Sequence, residues 1–204
     1  MPRTPTVSPD RILQVAAREF ADRGYAGARV DRIARLARVN KAMLYYHFGS
    51  KKALYRALLL QVFSHAGQRL KAIADGPGPA DRKIHDVIGA MGAFVAEHAF
   101  FPAIMLREVA DGGVHLDRET LAALAALPLT VGAIVRQGVA ERTLRPMNPI
   151  AAYFTMFAPI VMFMTGAPLR GQLTSRQLVD MSKLPPERFV EQLQESIRLA
   201  FTAR

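Results

Sequence analysis

Between residues 9 and 23 the apolar side chains Ile12, Leu13, Ala16, Phe20 and Ala21 recur at three- and four-residue intervals, the spacing of one face of an α-helix. Ser8-Pro9-Asp10 predicts its start: Ser8 suits the N-cap, Pro9 the first helical position and Asp10 the positive end of the dipole. Gly24 predicts a left-handed cap at the other end, with Tyr25-Ala26-Gly27 as a turn. Val30, Ile33, Ala34 and Ala37 then mark a second helix of about two turns, too short to persist without neighbours. Arg38-Val39-Asn40 interrupts the pattern, and Asn40 predicts the N-cap of a third helix, Lys41 to His47, with Leu44 and Phe48 inward. Gly49 ends that helix, and Ser50 caps a fourth that Leu54, Leu58, Val62, Ala66 and Leu70 carry to about Ile73.

Asp75-Gly76-Pro77-Gly78-Pro79 is the clearest break in the chain. Beyond it the periodicity predicts helices over 80–99, 102–111, 117–143, 149–166 and 185–202, with Pro128 kinking or splitting the third of these. No strand-period alternation and no internal repeat is present, so the expected fold is all-α. The stretch from Pro146 to Leu169 lacks any charged residue and is long enough to suggest a membrane span. Pro149, Pro159 and Pro168 punctuate it, and Asn148, Thr155 and Thr165 interrupt it, which favours a buried packing or subunit-interface helix and no membrane partner.

Charge divides the chain unevenly. The 204 residues carry 27 Lys and Arg against 17 Asp and Glu, a formal charge of +10. Residues 1–60 hold twelve of those cations and only four of the acids, leaving the remainder nearly neutral. Clustered base is the footprint of a phosphate-binding surface, although charge alone does not separate nucleic acid from an anionic membrane. The chain has no cysteine, which excludes disulfide frameworks, thiolate metal sites and cysteine nucleophiles and suits a reducing cytoplasm. The opening segment MPRTPTV has no apolar core of the kind a secretory signal needs.

Two short helices joined by a tight turn predict a helix-turn-helix unit. The outward face of the third helix carries Lys41, Ala42, Met43, Tyr45, Tyr46 and His47 and no carboxylate, as a helix entering a DNA groove requires. The stretch VDRIARLARVNKAMLYYHFGSKKALYRALL resembles the signature of the TetR family of bacterial transcriptional repressors: an Ile-Ala pair, a Val ending the turn, Leu-Tyr, an aromatic pair before Phe, then Gly-Ser-Lys and Leu. The resemblance covers residues 8 to about 60 and implies a helix-turn-helix DNA-binding domain at 8–56 followed by a helical effector-binding and dimerisation domain at 57–204. It further implies a homodimer that binds a palindromic double-stranded DNA operator and releases it when a small molecule binds. Carried over by position, Tyr45 and Lys51 would grip phosphates, while Lys41, Ala42, Met43 and His47 would face bases. Arg38 replaces a common turn glycine, where a positive φ would cost roughly 1 kcal/mol. Asp31, a carboxylate close to the operator, is expected to pair with Arg35 one turn away.

An effector pocket is expected from Met91, Phe94, Val95, His98 and Met105 together with Leu124, Leu127, Tyr153 and Phe157, and its ligand should be apolar or aromatic. The apolar helix near 149–166 and the last helix, with Phe189, Leu193, Ile197, Leu199 and Phe201, are the candidates for a four-helix dimer interface. The competing classes are a basic membrane-surface protein and a small helical enzyme. The second has little support: the sequence contains no Gly-x-Ser-x-Gly, Walker loop, Gly-x-Gly-x-x-Gly or His-Glu-x-x-His, and its five histidines are scattered, so no cofactor or metal is expected.

Overall fold

The computed structural model describes residues 8–203, so the opening segment and its reading as lacking a secretory signal lie outside the described residues. The described chain forms ten α-helices: α1 Pro9–Gly27, α2 Val30–Ala37, α3 Lys41–Phe48, α4 Lys51–Asp75, α5 Ala80–Glu97, α6 Phe101–Ala110, α7 Arg118–Ala140, α8 Pro149–Thr165, α9 Ala167–Ser175 and α10 Pro186–Phe201. The all-α expectation holds, and each predicted helix is present with ends displaced by a few residues.

The first three helices and the start of α4 build a head whose core is the predicted apolar face: Ile12, Ala16 and Phe20 of α1, Ile33 and Ala37 of α2, Leu44 of α3 and Leu54 of α4 are all buried. Local chemistry sets the turns. Arg38 has φ 58° and ψ 43°, the left-handed conformation that lets the Val39 N–H return to the Ala34 carbonyl at 3.0 Å. Asn40 accepts from the Met43 N–H at 2.6 Å and Ser50 from the Ala53 N–H at 3.0 Å, so both expected caps are made. Ser8 occupies the N-cap position of α1 but makes no side-chain cap bond. Gly24 does take a positive φ, 69°, yet its ψ of 173° is extended, so it breaks α1 and one further turn, through Gly27, follows.

Helix α4 runs unbroken from the head into the body, where it packs chiefly on α7; α8 lies against α7 and α10 against α5. The helix predicted over 149–166 is present as α8, with Gly166 as its C-cap, and the charge-free stretch runs on into α9, which leaves α8 at 53°. Helix α9 is an addition to the sequence expectation, and a 3₁₀ turn, Met181–Lys183, follows it. Pro128 does not split α7, which continues through it. At 23 residues α7 is long and apolar enough to cross a membrane by length and composition, and here it packs against α4, α5 and α8.

The break before α5 is closed by polar groups. Lys83, 6% exposed, donates to the Ala74 carbonyl at 2.8 Å and to Gln137 Oε1 at 3.2 Å, while Glu141 accepts from the Ala80 N–H at 3.0 Å. The same corner needs Gly138: a Cβ there would stand 2.5 Å from Leu144 Cγ and 2.9 Å from Ala80 Cβ. Gly138→Ala should therefore destabilise the protein by about 1–3 kcal/mol despite a helix propensity that favours alanine. The check is the denaturant midpoint at fixed protein concentration; an unchanged or raised midpoint would show that the corner yields.

Candidate nucleic-acid interface

Only Leu44 of α3 is fully buried, so the helix is held by one side chain, its cap and the turn before it, and the rest of its surface is offered outward. Lys41, Ala42, Tyr45 and Tyr46 are exposed, Tyr46 by 87%, whereas Met43 and His47 are half-buried at the flanks. No carboxylate lies on α3 itself.

A carboxylate nevertheless reaches it. Asp31 of α2 pairs with Lys41, Oδ1 to Nζ 2.7 Å, and not with Arg35 as its i, i+4 spacing suggests. The tight turn brings the N-terminus of α3 beside the first turn of α2, and the ammonium at the end of a flexible stem closes the distance. The hydrogen bond to Asp31 and its charge raise the Lys41 pKa above the ordinary lysine value. Lys51 is also turned inward: its Nζ donates to the Ala26 carbonyl at 3.2 Å and lies 4.8 Å from the centre of the Tyr25 ring, and burial lowers its pKa. An ammonium has three donors, so Lys51 keeps others for an anion, and the exposed Lys52 stands next to it.

Arginines singled out in the sequence only as part of the charge surplus complete the surface. Glu19, 2% exposed, holds Arg32 at 2.8 Å and Arg23 at 3.4 Å, fastening α2 to α1 through a buried carboxylate. Around it lies a concavity of about 530 Å³ to which Arg29 and Arg35 contribute. Among the described residues neither Arg29 nor Arg35 is paired with an acid, so both guanidinium groups are available to phosphate. The density of arginine near the start of α2 was visible in the sequence; which arginines Glu19 would take was not.

Behind the head, a second site forms in the body. Met91, Met105, Leu124, Leu127, Tyr153 and Phe157, six of the nine predicted effector residues, line one cavity of about 270 Å³, joined by Phe101, Leu106 and Val161. Val109, Phe154 and Met162 also line it while remaining more than half exposed, so it opens to the surface there. The Tyr153 hydroxyl is its polar handle, its pKa pushed up to about 12 by burial. Phe94, Val95 and His98 are not part of it. The first two are core, and His98 stacks on Phe94 at 4.2 Å with its Nδ1 2.9 Å from the Phe94 carbonyl, because the last turn of α5 has passed beyond the cavity.

Helix α6 connects the two sites. Met105, Leu106 and Val109 face the cavity, whereas Arg107 donates to the Ala21 and Asp22 carbonyls of α1 at 3.3 and 3.2 Å. Glu108, 2% exposed, accepts from the Tyr55 hydroxyl of α4 at 2.6 Å and lies 3.0 Å from His115 Nδ1. Burial and then the Glu108 carboxylate push the Tyr55 pKa far above the usual phenol value, so this hydroxyl keeps its proton. Tyr25, at the end of α1, meets the Tyr55 ring edge-on at 5.1 Å and the His115 ring at a tilt at 4.2 Å. Among the described residues no cluster of three or more His, Cys, Asp or Glu side chains could hold a metal ion.

Residues 12–58 match the family described as bacterial regulatory proteins, tetR family. Over nearly its whole length the chain is similar to the HTH-type transcriptional regulator RutR of Escherichia coli, 30% identical over 178 residues covering 83% of this chain and 84% of that protein. It is 26% identical over 175 residues to the HTH-type transcriptional repressor NicS of Pseudomonas putida, covering 85% and 82%. The fold matches the ketosteroid transcriptional regulator KstR2 of Mycobacterium tuberculosis with a TM-score of 0.71 at 18% identity, covering 98% of both chains.

Because Asp31 neutralises Lys41 at the reading surface, Asp31→Asn should free one cation toward duplex DNA. Affinity for DNA of any sequence should rise, and the slope of log K against log salt should steepen by about one unit. Fluorescence anisotropy over a potassium chloride series measures both, and an unchanged slope would mean that Lys41 is already free of Asp31 on DNA.

Proposed function

The chain belongs to the TetR family of bacterial regulatory proteins and is a DNA-binding transcriptional regulator, and from that premise we propose that it represses transcription as a homodimer on a palindromic operator, released by a small apolar or aromatic ligand. The observation that carries this reading is the pairing, through α4 and α6, of a carboxylate-free reading helix with an apolar cavity in the body. Lys41, with Ala42, Met43 and His47, reads base edges: the ammonium suits guanine N7 and O6, and the apolar side chains suit the thymine methyl. Tyr45, Tyr46 and Lys51, with Arg29 and Arg35, position the duplex through its backbone. The relative NicS is itself a repressor, which supports that sense of regulation. A regulator working on bacterial DNA acts in the cytoplasm, and no catalytic step is needed.

The homodimer reading rests on the outer side of α8, where Ile150, Ala151, Phe154, Thr155, Ala158 and Met162 are exposed and uncharged, and on Leu199 of α10, 68% exposed. A large apolar surface of this kind marks an association site. Two heads about 34–36 Å apart, one helical turn of duplex, would meet successive major grooves.

Release follows from α6. A ligand entering between Met105, Leu106 and the aromatic residues of α8 displaces α6, which carries Arg107 and Glu108 and with them the end of α1. Two rigid heads on one duplex tolerate little change of spacing, so a small shift lowers operator affinity.

Selection of bound duplexes from a random pool tests the reading: a two-fold symmetric site is expected, and an asymmetric one bound by a monomer would refute it. On the selected site, Lys41→Ala should relax preference at particular base pairs by about 1–3 kcal/mol, while Tyr45→Phe should weaken all sequences alike. Arg107→Ala should keep operator binding but shrink the factor by which a cavity ligand lowers it, a coupling typically of about 1–3 kcal/mol. Calorimetric titration of ligand into free and operator-bound protein reads both arms of that cycle; unchanged coupling in the variant would remove α6 as the transmitter.

A further inference from the structure

A second cavity, of about 550 Å³, lies between α1, α4 and the turn from α5 to α6, on the seam between head and body, and its lining shares no residue with the apolar cavity. Its floor is apolar: Leu13, Leu58 and Val62 contribute side chains that are 8%, 2% and 3% exposed. Its walls carry the rings of His65, His98 and Phe100, and with them the guanidinium of Arg18 and the amides of Gln14 and Gln61. Among the described residues the Arg18, Gln14 and Gln61 side chains make no hydrogen bond or ion pair within the protein. The one carboxylate in the lining, Glu97, is already taken by Arg69, which meets both its oxygens and holds its carboxyl below the usual range. The cavity thus offers one unneutralised guanidinium, two amides and two imidazoles above a hydrocarbon floor.

We propose that this seam cavity is a second ligand site, selective for a small organic monocarboxylate whose hydrocarbon body rests on Leu13, Leu58 and Val62 and whose carboxylate meets Arg18. A planar guanidinium matches a carboxylate with two parallel N–H bonds, and the Gln14 and Gln61 amides supply further donors. The single guanidinium makes one bidentate pair, which matches one carboxylate group. The uncharged counterpart of the same ligand lacks the charge-assisted bonds, and a purely inorganic anion leaves the floor wet. Occupancy joins α1 of the head to the α5–α6 turn of the body without entering the cavity lined by α7 and α8. The site stands whether or not the apolar cavity receives an effector.

Hexanoate and 1-hexanol titrated calorimetrically into the full chain test the proposal. Hexanoate should bind at one site per chain, and 1-hexanol at least about tenfold more weakly, the difference a charge-assisted hydrogen bond makes. Arg18 is exposed, so Arg18→Ala should fold normally and lose hexanoate affinity by about tenfold or more; Arg18→Lys should retain part of it. Gln61→Glu, which sets a carboxylate against the ligand, should weaken hexanoate in the same direction. Leu124→Phe, which narrows the apolar cavity from α7 and lies off the outer side of α8, should leave hexanoate binding unchanged. The proposal is overturned by any of four results: no hexanoate binding at about 10 mM, equal affinity for hexanol, insensitivity to both Arg18→Ala and Gln61→Glu, or loss of binding in Leu124→Phe.

Discussion

A buried carboxylate at the seam between head and body organises this protein. Glu108 is 2% exposed, and a carboxylate so placed costs free energy unless hydrogen-bonded; Oε1 takes both of its partners, and Oε2 has none among the described residues. Its partners come from elsewhere in the fold: the Tyr55 hydroxyl from α4 and His115 from the α6–α7 connection, with the Tyr25 ring packed against both from the end of α1. Arg107, one residue earlier, holds the last carbonyls of α1. Neither α2 nor α3 is long enough to be stable alone, so the head depends on α1 and α4, and α6 decides where α1 points. The contacts of α6 thus tie the body to the α1 end of the head.

Electrostatics in the head follow the same economy of partners. Glu19 is buried and serves the fold by tying Arg32 and Arg23 together, whereas Asp31 is exposed and serves the surface by occupying Lys41. An exposed pair contributes little to stability, so its consequence lies in binding: it subtracts one cation from the non-specific attraction to phosphate while keeping an ammonium at the start of the reading helix. Lys51 is restrained comparably by Ala26 and Tyr25.

The two cavities divide by chemistry. One is walled by methionine, leucine and aromatic rings with a single phenol, and the other sets an unpaired guanidinium, two amides and two imidazoles over three aliphatic side chains. Both touch helices that meet the head, which is the condition for a ligand in either to alter how the heads sit on DNA.

The sequence by itself determined what is local. The caps at Asn40 and Ser50, the positive φ at Arg38, the breaks at Gly24 and Gly76 and the inward stripes of α1 to α4 are set by neighbours within a turn or two, and the chain's own spacing records them. Helix α9 escaped because none of its residues is buried, so it leaves no apolar stripe for periodicity to register. Pro128 did not break α7 because packing against α4 and α8 outweighs one lost backbone bond. Contacts between helices were beyond reach: Asp31 met Lys41 and not Arg35, Phe94 and Val95 became core, and Tyr55 found Glu108 at a separation of 53 residues. Spacing along one helix says which side chains share a face, but which face of another helix they meet is decided by close packing of the whole, where each helix can settle only in the grooves that the others leave.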